Sequence, residues 1–76
     1  MSTTDIKTQV AVAYVVATAA KHANNGSAEL CVSDARSCYD RGDMEHAYRR
    51  ALTSMEHSVG IFHADYLEAK AMEVTA

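Results

Sequence analysis

Four histidines, two cysteines and ten carboxylates are the side chains of this 76-residue chain that could hold a metal or move a proton. Their spacing decides what they can do. Asp43 and His46 stand three apart, the acid-x-x-His element of a di-iron bundle, but such a centre needs that element twice and two inward glutamates besides. The second copy is missing. Zinc asks for four ligands at paired spacings, and Cys31 and Cys38 with dispersed His22, His57 and His63 do not provide them. Ser54, His57, Ser58 and Asp65 are the residue types of a hydrolytic triad. On a single helix His57 points away from both neighbours in the sense a triad requires, and no glycine-rich elbow or phosphate-cradling loop accompanies them. We therefore expect no catalytic residue, no metal and no cofactor, with a small metal-binding or thiol-based redox protein as the alternative.

Cys31 and Cys38 fall on one predicted helix, about 10.5 Å apart along its axis. A disulfide requires Cα atoms within roughly 4.4–6.8 Å, so the two cannot bridge and are expected as reduced core residues. That fits a cytoplasmic protein, as does an N-terminus, MSTTDIKTQ, without the charged region and cleavage pattern of a secretory signal.

The remaining chemistry is charge. Arg49 and Arg50, with Glu45, Glu56 and Glu68 near them in sequence, make a charged helix face, and Arg36 and Arg41 are expected across a helical hairpin from it. Such faces are commonly just solvated, with pairs worth a few tenths of a kcal/mol. Arginine and tyrosine are nevertheless enriched at interface hot spots. Arg36, Arg41, Tyr48, Arg49 and Arg50 are accordingly the candidate protein-binding residues, with Phe62 and Tyr66 as further aromatic anchors. The net charge of −3 and the scatter of the seven basic residues lack the electrostatic footprint of nucleic-acid binding.

These residues need elements to hold them. The chain has no proline and three glycines, a composition that favours helix, and its length allows one domain spanning residues 1–76. The first predicted helix runs from about 5 to 24, with Ser2, Thr3 and Thr4 as alternative N-caps and Asn24, Asn25 and Gly26 as a left-handed stop. The β-branched run at VAVAYVV also suits a strand, but no second strand is available to pair with it. Ser27 is expected to cap a second helix over 28–41, with a stripe of Ala28, Cys31, Ala35 and Cys38. Gly42 stops it, and Asp43 caps a third helix over 44–72 carrying Met44, Tyr48, Ala51 or Leu52, Met55, Val59, Phe62 and Tyr66 at helical intervals. Gly60 is its weak point, yet because no N-cap follows the glycine this third helix is expected to continue through it, with a mild kink at most, in preference to a break there into a fourth helix. The fold class is thus all-α, a three-helix domain.

The run from Asp34 to Leu52, DARSCYDRGDMEHAYRRAL, resembles the middle of a tetratricopeptide-type hairpin, through Ala35, Tyr39, Gly42, Asp43 and Ala47. That resemblance covers a quarter of the chain and implies geometry: two antiparallel helices packed through small residues. The whole chain, short, mildly acidic and helical, also resembles small phage- or mobile-element-encoded proteins that inhibit host proteins.

The segment from Val10 to Ala20, VAVAYVVATAA, is apolar in ten of its eleven residues, too short for the ~20 residues that cross a bilayer and too apolar for a surface helix. It must be covered by the rest of the chain or by a second copy. The expected function is a non-enzymatic protein–protein interaction module, a homodimer that docks on another protein and engages neither nucleic acid nor membrane.

Overall fold

The computed structural model describes residues 5–75. They form four helices: α1 (Ile6–His22), α2 (Gly26–Asp40), α3 (Met44–Val59) and α4 (Ile61–Thr75). Among the described residues there is no strand, so the all-α class holds and the count of three helices does not.

The extra helix arises at Gly60. Its φ of +89° and ψ of 163° lie outside helical space, in a region costly for any residue with a Cβ. Its N–H still donates to Glu56 O at 3.0 Å, ending α3, while its own carbonyl accepts from the Ala64 N–H at 2.9 Å, beginning α4. In a continuous helix the carbonyls of His57 and Ser58 would accept from the amides four residues later. Here they accept instead from the side-chain amides of Asn25 and Asn24, each at 3.1 Å. The connection between α1 and α2 thus satisfies two carbonyls that the end of α3 would otherwise leave open. No interval of residues around Gly60 could reveal that.

The same two asparagines correct the start of α2. Asn25, not Ser27, is its N-cap: the backbone at Asn25 is extended and its Oδ1 accepts from the Ala28 N–H at 2.9 Å. Such a cap contributes about 1 kcal/mol. Gly26 and Ser27 already lie within the helix, and no left-handed residue stops α1, which ends as Ala23 turns extended. The proposed caps Ser2, Thr3 and Thr4 lie outside the described residues, and Asp5 performs the role, accepting from the Thr8 N–H at 2.7 Å.

Gly42, at φ +83°, and Asp43, whose Oδ1 accepts from the His46 N–H at 3.2 Å, make the expected turn between α2 and α3. Each cap bond holds its carboxyl below the ordinary aspartate range. For Asp43 the backbone N–H of His46 is the main cause, with the His46 side chain and the charge of Arg41 adding to it; for Asp5 it is the Thr8 N–H. A carboxyl depressed by folding stabilises the fold above its unfolded pKa, near 3.9, and loses that contribution as pH falls through the lower folded value. Helicity followed by circular dichroism from pH 6 to pH 2 should therefore decline below about pH 4. An Asp5→Asn, Asp43→Asn variant keeps both cap acceptors but cannot titrate there, and its decline should be shallower.

The core forms where α1 and α3 cross the middle of the molecule. Val12, Val15, Val16 and Ala19 of α1 are buried with Met44, Ala47, Ala51 and Met55 of α3. On one side α2 adds Val32, Ala35 and Cys38, and on the other α4 adds only Ala64 and Ala71. Among the described residues α2 and α4 do not touch. The hairpin of α2 and α3 is the most extensive helix pair, and it is antiparallel: Ser54, fully buried near the end of α3, donates its hydroxyl to Ala28 O at the start of α2, 2.7 Å away. Its seam is built from alanines on both helices.

Two expectations about burial change. Cys31 is only half-buried whereas Cys38 is buried, because the α2 stripe that enters the core is Ala28, Val32, Ala35 and Cys38. Phe62 and Tyr66 do not continue the buried stripe of α3; they are 91 % and 55 % exposed, since the turn at Gly60 rotates them outward and turns Ala64 and Ala71 in.

Candidate protein-interaction surface

The five candidate binding residues do not converge on one face. Arg49 and Arg50 are exposed on the outer side of α3, where Arg49 pairs with Glu45 at 3.4 Å across one helical turn. Both partners are well exposed, so this pair adds little to stability. Arg41 sits at the C-cap of α2 and donates to Cys38 Sγ at 3.4 Å. Arg36 stands over the groove between α1 and α2, against Ala13, Val16 and Ala17, on the α1 side of α2 and away from the outer face of α3. Tyr48 is half-buried, and its hydroxyl donates to Glu68 of α4. It fastens α4 to α3 and is no free anchor.

The histidines divide as well. His46 turns back on its own cap, with Nδ1 2.8 Å from Asp43 Oδ2. His22 donates Nδ1–H to Thr18 O at 3.0 Å, and its ring meets that of His63 edge to face, with centroids 6.5 Å apart. His63 in turn stacks on Tyr66. Among the described residues, no three His, Cys, Asp or Glu side chains are grouped so as to hold a metal ion.

Apolar surface is what the fold does gather. Among the described residues nine large apolar side chains are exposed: Ile6, Val10 and Tyr14 on α1, Ile61, Phe62, Tyr66, Met72 and Val74 on α4, and Leu30 alone on α2. Eight of the nine thus belong to two helices that pack side by side. Ile6, Val10 and Tyr14 recur every four residues, one stripe along the outer side of α1. Tyr14, Tyr66, Leu67 and Val74 line one groove between the two helices, rimmed by Lys21 and Lys70. A second, more apolar groove opens nearer the other end, over Val12, Met44, Tyr48 and Met72. Sequence reasoning had the signal for the α1 half in the apolar run of Val10 to Ala20. On α4 it named Phe62 and Tyr66 as further anchors but also placed them on the buried stripe of a continuous helix, and it did not single out Ile61, Met72 or Val74.

Burial also revises the account of that run. Val12, Val15 and Val16 are covered inside a single chain, so their need for cover does not require a second copy; Val10 and Tyr14 remain outside. No described helix is long and apolar enough to cross a membrane. Compared with known proteins, the chain matches no family model, no curated protein and no solved structure.

Proposed function

We propose that this chain is a non-enzymatic protein-interaction module that docks on another protein through the joint face of α1 and α4. The observation that carries the reading is the groove in which Tyr14, Tyr66, Leu67 and Val74 meet between those two helices, which together carry eight of the nine exposed large apolar side chains among the described residues. Scattered single apolar residues are ordinary on a protein surface, whereas a contiguous patch rimmed by polar groups marks a site of association. Tyr14 and Tyr66 supply the amphipathic aromatic anchors that interfaces favour, and Lys21 and Lys70 supply the rim. A helix laid between α1 and α4 is the simplest partner for such a groove. The small, mildly acidic, helical chain supports a finer version of the reading, a phage-encoded inhibitor acting on a host protein in the cytoplasm.

The arginine face of α3 is the rival location, and one experiment separates the two. A photo-reactive residue placed at Tyr14 or Tyr66 should cross-link a defined partner from the native host, and Tyr14→Ser with Tyr66→Ser should abolish its capture. Charge reversal at Arg49 and Arg50 should leave capture intact and change stability by no more than about 0.5 kcal/mol, as exposed charges do. If the charge reversal abolishes binding while the tyrosine variant binds normally, the interface is the outer side of α3.

A further inference from the structure

We propose that Gly60 is a hinge through which α4 is exchanged between two copies of this chain. It starts from hydrogen bonds rather than from the docking reading, although the exchanged dimer engages Phe62 and Tyr66 of that same face. In the closed chain the carbonyls of His57 and Ser58 accept from the Asn25 and Asn24 side chains. If α3 and α4 straighten into one helix, those same two carbonyls accept from the amides of Ile61 and Phe62. The two states compete for the same acceptors, so opening the hinge sacrifices no carbonyl. It also releases Gly60 from φ +89° into the helical region that the flanking sequence already favours.

The connection is a single residue, and a connection this short is the kind at which an element can be exchanged when its two helices join into one. α4 buries two alanines, Ala64 and Ala71, packs Leu67 against the core and is tied to α3 through Tyr48 and Glu68, and it follows a residue with no side chain to cap it; the α4 of either copy can make each of these contacts. In the exchanged dimer α4 of each chain takes the seat on α1 and α3 that the other has vacated, so the closed contacts are kept. The new contact of such a dimer forms around the two-fold axis at the hinge. Ile61 and Phe62, 63 % and 91 % exposed in the single chain, stand there. On a straightened helix Val59, Phe62 and Tyr66 recur at three and four residues, so they face the second copy as one stripe. The occupant of that stripe is therefore the same stripe of a second copy.

Sedimentation velocity on the intact chain and three variants tests this. Gly60→Ala should favour the straight helix by about fivefold per chain from helix propensity alone, so by about 25-fold in the dimerisation constant. Asn24→Ala with Asn25→Asp removes both competing donors yet keeps an acceptor for the Ala28 N–H, and should also shift the chain towards dimer. Inserting Gly-Ser-Gly-Ser after Gly60 gives α4 a relaxed return path and should shift it towards monomer. In a mixture of isotopically labelled and unlabelled Gly60→Ala dimer, contacts between the methyls of Ala64 or Ala71 and the valines of α1 should run between chains. Should Gly60→Ala fail to fold, the same labelling is read on the asparagine variant. The proposal is overturned if neither variant raises the dimer fraction, if the insertion does not lower it, or if those methyl contacts stay within one chain.

Discussion

Replacing Met55 by alanine should cost about 2–5 kcal/mol, the usual penalty for emptying a fully buried long side chain. Met55 is the largest wholly buried side chain among the described residues and lies in the core cluster that α1, α2, α3 and α4 share. A single core of this size seldom supplies more than ~3–5 kcal/mol in total, so the variant should be largely unfolded at 25 °C. Met55→Leu, close in volume, should lose less than about 1.5 kcal/mol. Urea titration followed by circular dichroism reads both. A Met55→Ala variant with the midpoint of the parent would mean that the centre of the bundle is looser than its burial indicates.

Ala35→Leu should cost about 1–3 kcal/mol for the opposite reason. Ala35 is fully buried on the side of α2 that meets α3, and the alanines of both helices let the two approach closely. Three added carbons have no room without separating the hairpin, which also carries the Ser54 hydroxyl to Ala28 O bond and the Asn25 cap. The loss should appear in the thermal midpoint, and hydrogen exchange should rise first along α2. If Ala35→Leu instead melts at or above the parent temperature, a cavity faces Ala35 and the seam is not closely packed.

The hairpin was the part most open to reading from residues alone. Gly42 and Asp43 each impose a local geometry, a positive φ and a side-chain cap, that depends on nothing distant. The small residues of α2 announce a close neighbour for the same local reason: a side chain that is not there cannot hold two backbones apart. Cys31 shows the limit of the method. A helical stripe fixes which residues share a side to within about one position, and one position is the difference between the core and its edge. The candidate surface was half legible. The apolar run of α1 exceeds what one buried face can use, so some of it had to remain outside, and Val10 and Tyr14 do.

What the amino-acid sequence by itself determined is the all-helical class, the turn at Gly42 and the excess of apolar surface on α1, each of them a property of neighbouring residues. The fourth helix was decided by tertiary structure alone. Around Gly60 the helical period resumes with no N-cap after the glycine, which leaves a continuous helix and a break into a fourth as competing readings, and straight and bent forms satisfy the same two carbonyls from different donors. Those donors, Asn24 and Asn25, lie more than thirty residues away and reach His57 and Ser58 only after α2 and α3 have paired. The bend then sets the outward rotation of Phe62 and Tyr66, and with it the α4 half of the binding face. A contact that exists only in the folded chain leaves no periodic trace in the residues it rearranges.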